Sequence, residues 1–597
     1  MKRLTVVALA AAASVASAAP GAGVKGSKHD LSVTGPGAIH AVSEANVCVA
    51  CHLPHSGAMN RPDPRVQHIP YSSSTMSAKP GAPTGSSRLC LSCHDGTIAV
   101  GETKRGRIKM TQDFILPGTP SNLGTDLRKT HPVSFRPSDA GRTHPPPGND
   151  PVRLDRSGQV QCTSCHDPHK EWGDPFLGKF LVKPAERSAL CLSCHDNLAV
   201  DAPGSSHASS TATYGAAEGN AAGFRSVAEA GCLACHPSHG ADEKKGRLVA
   251  RPGGDDDALC LRCHAGTVSR TNLKAELAKP YAHVATDKGV HDAAEGRPGR
   301  PETLPEASPG ARRHVACVDC HDPHASTGQA AVAPGTASGA LAGVWGIDQR
   351  GNRVEQVRFE YELCFKCHGD SANQPQAVGV PSPNAPVRAV VDVNLRKALA
   401  PSAISYHPVV APGRSARVPG LVAPYNPASI IGCGDCHAAE NGPGAGGSAP
   451  RGPHGSFYAH LLERSYSTLD RMPESASAYA LCYKCHDRST LVAPDRRDTI
   501  RYPDATAFPL HPRHLGPRGN AACAACHVSH GISAAAGTPQ ENRALVSFDT
   551  SVVKPYRGVR RFSSTAQGTG SCTLTCHNHD HDGVATGLYT PATPATP

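Results

Sequence analysis

The chain has 597 residues, with 24 Cys, 33 His, 59 Gly and 53 Pro, and it is 4% aromatic and 18% charged. A soluble chain of this length normally divides into several domains with apolar cores of their own, and 2 Trp, 11 Phe and 5 Met are thin material for that. The formal charge of +10 includes no Lys/Arg run with interleaved aromatics, so nothing supports a nucleic-acid partner.

Residues 1–18 read as a secretory signal. Lys2 and Arg3 form a positive start, Leu4 to Val15 an apolar stretch, and Ala16-Ser17-Ala18 a small-residue cleavage site. The apolar stretch is too short for a membrane span, which needs roughly 20 residues. The first cysteine is Cys48, so none near the cleavage site could take a lipid. An exported protein of the periplasm or cell surface, with no transmembrane segment, is expected.

Beyond that segment the cysteines set the pattern. All 24 fall into twelve close pairs, each followed directly by His. Eleven have the form Cys-x-x-Cys-His: Cys48/Cys51/His52, Cys90/Cys93/His94, Cys162/Cys165/His166, Cys191/Cys194/His195, Cys232/Cys235/His236, Cys260/Cys263/His264, Cys317/Cys320/His321, Cys364/Cys367/His368, Cys433/Cys436/His437, Cys482/Cys485/His486 and Cys523/Cys526/His527. The twelfth, Cys572/Cys576/His577, has one extra spacer residue.

Cys-x-x-Cys-His is the attachment motif for c-type haem. Two thiols one helical turn apart can each add to one vinyl group of a porphyrin, and the next His lies under the iron as proximal ligand. A disulfide framework would need no His after each pair. A zinc ribbon would not fix His at one offset twelve times, and a redox dithiol belongs on a βαβ unit that the sequence lacks. Twelve covalent haem c groups are therefore expected, although a disulfide competes at the longer twelfth motif.

The motifs also come in twos. The first of a pair tends to carry a second His three residues on: His55, His169, His239, His324 and His530. The second tends to follow a Leu: Leu89, Leu190, Leu259, Leu363 and Leu481. In these alternating signatures the chain resembles the multihaem c-type cytochromes with doubled CXXCH motifs, over nearly all its length beyond residue 18. The resemblance implies a bacterial electron carrier, of the kind often found in anaerobic respiration and extracellular electron transfer. Unit five departs from it with Glu440 in place of the second His, and unit six with its expanded motif and Ser571 in place of Leu. Six two-haem units are expected at 19–115, 116–205, 206–275, 276–372, 373–495 and 496–581, with a disordered tail at 582–597.

Twelve proximal His leave 21 of the 33. The second His of His-x-x-His is held on the proximal side of its own porphyrin. It must ligate another haem, most simply its partner in the unit. His454 would substitute in unit five. The other distal ligands would come from upstream: His40, with His29 as competitor; His131; His207; His314, competing with His283 and His291; His407; and His511, competing with His514. His68, His144, His460, His579 and His581 read as solvated or propionate-contacting. Met59, Met76, Met110 and Met472 are too few to ligate more than a minority of sites, so mostly bis-His, low-potential haems are expected.

The stretches between motifs, rich in Ala, Gly, Pro and Ser, predict a mostly irregular chain with short α-helices, minimal β and porphyrins for a core. Val354 to Phe365 reads as a short strand or helix leading into a motif. Without Lys2 and Arg3 the apoprotein is +8, and two propionates on each of twelve haems would make the holoprotein about −16. The function expected is an electron conduit between redox proteins or toward an extracellular acceptor. Two rivals stand beside it: a multihaem reductase with one open-coordination haem, and a protomer of a polymeric filament. Association with an outer-membrane barrel is a variant of the first.

Overall fold

The computed structural model describes residues 23–52, 66–72, 79–103, 106–137, 143–170, 179–195, 205–215, 223–241, 256–283, 315–370, 385–415, 418, 420–492, 510–517, 519–564 and 570–583. Residues 1–18, His55, His291, His314 and the tail from 584 lie outside them.

Regular structure is short and sparse, as the composition predicts. The longest described helices are α1, Gly85–His94, and α2, Glu360–His368, and each ends on the His of a motif. In α2 the Glu362 carboxylate accepts from the Phe359 and Arg358 amides, satisfying donors that a helix start leaves open. Its Lys366 and His368 lie in the last turn, where the helix dipole favours cations. The segment read as strand or helix is both in succession: Arg353–Val354 pairs with Gly346–Ile347, and α2 follows.

Most strands are two-residue pairs. The exception is an antiparallel sheet near the C-terminus, made of β1 (Val553–Lys554), β2 (Arg561–Ser563), β3 (Ser571–Cys576) and β4 (His579–Asp582), in which β3 pairs with each of the others.

The chain forms two compact units, residues 1–201 with 208–254 and residues 202–207 with 255–597. The first holds five motifs and the second seven. Among the described residues, apolar packing in each is confined to islands. In the first unit one joins Ala41, Val100 and Met110, and another Tyr214, Phe224 and Ala230. The largest, in the second, gathers Ile347, Tyr361, Phe365, Leu399, Ala403, Tyr406, Val409 and Ile431. Eight residues make a small core for a unit of this size. Among the described residues no helix is long and apolar enough to cross a membrane.

Candidate functional site

Each standard motif that is described closes one helical turn. The amide of the motif His bonds the carbonyl of the first Cys, at 2.7 Å for His52, 3.0 Å for His166 and 2.9 Å for His437. Residues three and four apart share a helix face, so the turn sets both thiols and the His together. In several motifs the residue before the second Cys caps its own turn. Ser164 Oγ accepts from the Gln161 amide at 3.0 Å, Asp319 from Ala316 at 2.7 Å and Asp435 from Gly432 at 2.8 Å. None of the 24 cysteines is in a disulfide.

The motif histidines face a second His across a recurrent gap. Ring centroids are 6.0 Å apart for His52–His169, 6.1 Å for His94–His29, 6.2 Å for His166–His239 and 6.2 Å for His195–His131. In the second unit they are 6.1 Å for His264–His207, 6.1 Å for His321–His454 and 6.3 Å for His368–His283. Three more follow, at 6.0 Å for His437–His530, 6.5 Å for His486–His407 and 6.2 Å for His527–His511. A metal lies about 2 Å from an imidazole nitrogen that binds it, so two rings on opposite sides of one iron have centroids roughly 6 Å apart. The side chains fit an iron porphyrin between them.

Four predicted haem residues are placed by their turns. The Cys235 amide bonds the Cys232 carbonyl and the Cys263 amide that of Cys260, both at 3.1 Å. Cys367 lies in the last turn of α2, directly before His368. All three thiols are half-buried and outside any disulfide, as attachment to a porphyrin requires. The His236 amide bonds the Cys232 carbonyl at 2.8 Å, which sets its half-buried ring beside Cys232 and Cys235. Its expected place under an iron follows from that turn.

The other ring nitrogen is tied down. Nδ1 bonds a backbone carbonyl at 2.8 Å for His94 (Ser121), 2.7 Å for His166 (Lys179), 2.9 Å for His321 (Ala340), 2.8 Å for His437 (His460) and 2.9 Å for His527 (Ala544). Such a bond fixes the tautomer and aims Nε2 at a metal. His460 and Ala544 have φ of 62° and 53°, a left-handed conformation that turns their carbonyls toward the motif. No residue pattern signals this second layer in advance. Burial keeps the rings neutral, the form that ligates. It pulls His29, His131, His368, His454 and His486 down to about 4, and His239 and His530 to about 3, with nearby imidazoles adding to the effect.

The pairing follows a rule that differs from the expected partner. His169, His239 and His530 do not face the other motif of their own unit; each faces the first motif His of the preceding unit. His454 obeys the same rule from unit five, facing His321. The carbonyl just before the donated His of units three to six bonds an upstream His. Nδ1 of His207 bonds Pro323 at 2.9 Å, that of His283 bonds Pro453 at 3.0 Å and that of His407 bonds Ser529 at 2.5 Å. The His131 amide bonds the Ser238 carbonyl at 2.8 Å. In units three, five and six one short segment thus positions both rings that face motif histidines of the unit before it. His324 follows Pro323 in this arrangement, with its amide bonded to Asp322 at 2.9 Å.

The structure places the other candidate histidines as follows. His40 is not the ring opposite His94; its Nδ1 bonds Gly37 at 2.9 Å, and His29 takes the place, stacked on Phe180 at 4.4 Å. His283 faces His368, and His314 lies outside the described residues. His511 faces the first motif of its unit. Among the described residues His577 faces no imidazole: its Nε2 lies 2.8 and 3.0 Å from the two carboxylate oxygens of Asp470. His581, read as a bystander, faces His514 at 6.1 Å.

Adjacent units are joined at their cysteines. The thiols of Cys90 and Cys162 lie within hydrogen-bond reach, as do Cys191 and Cys232, Cys317 and Cys260, Cys364 and Cys433, and Cys482 and Cys523. Side chains just ahead of one motif cap the next: Ser87 accepts from the Cys162 amide, Ser188 from Cys232 and Asp257 from Cys317, each at 2.9 Å. Within units four and five a Lys does the linking. Lys366 Nζ donates to the Asp319 carbonyl and Lys484 Nζ to that of Asp435, both at 2.6 Å.

Glu440, which stands in place of a second His, belongs to a buried ion triad. Lys279 Nζ lies 2.7 Å from Glu440 and 2.6 Å from Glu276. Lys279→Met would leave two carboxylates facing each other without a cation. Because the triad lies close under the surface, the cost should be about 2 kcal/mol, seen as a lower thermal unfolding temperature.

Residues 156–200 and 225–269 match the family described as Doubled CXXCH motif. The two stretches contain the motifs at Cys162 and Cys191 and at Cys232 and Cys260. No curated protein matches the chain. Doubled motifs of this kind indicate covalent attachment of haem c.

Proposed function

We propose that this chain, a multihaem c-type cytochrome by its doubled motifs, is an electron conduit with twelve haems held mostly by two His each. Bound haem iron takes up and releases one electron by cycling between its ferric and ferrous forms. The protein holds both axial positions, excludes water by burial, and sets the order of neighbours. The observation that carries the reading is the recurrent separation of about 6 Å between a motif His and a second His. A site closed on both faces by imidazole offers no place for a substrate, which favours transfer over reduction chemistry. The proposal extends to Cys235, Cys263 and Cys367 as attachment residues and to His236 as a proximal ligand, on the strength of their motif turns.

Continuity along the chain is supported by two kinds of link. Donated His residues tie the first motif of one unit to the first of the next. Paired thiols tie the second motif of one unit to the first of the next, which would set the attached edges of two porphyrins side by side. Units locked in this way suit stepwise transfer along the motifs of each compact unit. Haem attachment outside the cytoplasm agrees with the signal at 1–18, so respiratory transfer in the periplasm or at the cell surface is the role we assign. The end partners would be redox proteins or an extracellular acceptor.

The test is spectroscopic. The purified protein should carry twelve haems by mass and show a low-spin ferric spectrum, with negligible CO binding when reduced. A large high-spin fraction, or several equivalents of bound CO, would overturn the conduit.

A further inference from the structure

The twelfth motif does not form the helical turn of the others. Cys572 and Cys576 lie on β3, and His577-Asn578 form the two-residue tip of the β3–β4 hairpin, with φ of 51° and 63°. Two successive positive φ values are those of a type I′ turn. Both nitrogens of His577 are engaged there. Nδ1 bonds the Gly519 carbonyl at 2.8 Å, and Nε2 lies 2.8 and 3.0 Å from the Asp470 oxygens. An iron between nitrogen and oxygen would need them roughly 4 Å apart, at about 2 Å per bond. The observed spacing is a hydrogen bond.

Another His lies on the face that carries the thiols. Alternate residues of a strand share a face, so Cys572, Leu574 and Cys576 point the same way. In the register, Leu574 is opposite His581 on β4, and directly opposed residues share a face. His581 therefore stands beside both cysteines. Its ring faces His514 at a centroid distance of 6.1 Å with planes 21° apart, the same spacing as the bis-His pairs of the other motifs. His514 Nδ1 bonds the Leu510 carbonyl at 2.9 Å, the anchoring seen at the other ligands. His511 and His514 lie in one short helix, α3, spanning His511–Leu515, so α3 faces His527 with one ring and His581 with the other.

We infer that the haem attached at Cys572 and Cys576 is held by His514 and His581, and that His577, locked to Asp470, is not its ligand. The inference rests on the twelve-haem reading above. His577 instead pins the hairpin tip.

The test uses the full, matured protein. Mass analysis of the wild type first counts the haems and locates one on the peptide containing Cys572 and Cys576. If that peptide is unmodified, the twelve-haem reading fails, and this assignment with it, before any substitution is made. Given twelve haems, His514→Ala and His581→Ala should each convert one haem in twelve to high-spin in the ferric EPR spectrum. Each should also raise CO binding of the reduced protein by one equivalent, with the haem count unchanged. Asp470→Ala should leave every haem low-spin. If both His variants keep twelve low-spin haems, the assignment is overturned. A His577→Ala protein that keeps twelve haems and gains a high-spin one would overturn it equally. Should His577→Ala lose its haem during maturation, the His514 and His581 variants decide alone.

Discussion

Replacing His530 with Ala is expected to turn one haem high-spin, and not the one whose motif contains the substitution. His530 follows the motif at Cys523 and Cys526 but faces His437, with ring centroids 6.0 Å apart. The haem at Cys433 and Cys436 should therefore lose its sixth ligand and bind CO when reduced. The haem at Cys523 and Cys526, between His527 and His511, should stay low-spin. A high-spin signal from the haem at Cys572 and Cys576 instead would restore the simpler pairing within a unit. The substitution also opens a cross-link. An iron bridge between His437 and His530 closes a loop of about 90 residues, and releasing such a loop should cost on the order of 4 kcal/mol in chain entropy, less whatever order the open chain retains. A fall in the unfolding temperature larger than that of Lys279→Met is the expected readout.

The donated His could be found in the sequence; its destination could not. Three residues after the motif His, in a turn held by Asp167 in unit two and by Asp322 in unit four, a His cannot reach back to its own iron. That much is local geometry. Which other porphyrin it meets depends on how units dock, and docking is fixed by contacts between residues far apart in sequence, such as Ser87 with Cys162. The same limit explains the misplaced upstream ligands. His29 and His40 are equally plausible as residue types, but only the fold shows His40 turned onto Gly37 while His29 is stacked on Phe180. The twelfth motif did carry a local signal. Thr573-Leu574-Thr575 alternates β-branched polar residues with an apolar one, a strand pattern, whereas the other spacers contain few β-branched residues.

The oxidised protein should show two families of low-spin EPR signals in nearly equal amounts. In the first motif of units one, two, four, five and six the facing imidazole planes are nearer parallel: 16° for His52–His169, 32° for His166–His239, 14° for His321–His454, 15° for His437–His530 and 36° for His511–His527. In the second motif of units one to five they are steeper: 88° for His29–His94, 88° for His131–His195, 82° for His207–His264, 51° for His283–His368 and 68° for His407–His486. Outside unit six the difference follows where the distal ring comes from. In units one, two, four and five the near-parallel rings are donated from the turn after the next unit's motif; in unit six His511 lies upstream. The crossed rings come from upstream segments, and three are set by the Pro323, Pro453 or Ser529 carbonyl. Axial ligand geometry is one of the means by which a protein tunes haem electronics. Coincident planes push electron density into the same iron d orbital and split it from its neighbour, which yields a rhombic three-line spectrum. Crossed planes load both orbitals alike, and the near-degeneracy produces a single feature at very low field. Titrating the two families separately would show whether first and second motifs take up electrons at different potentials. A single rhombic family accounting for all the iron would rule out the alternation, because no crossed pair could then survive in the oxidised protein.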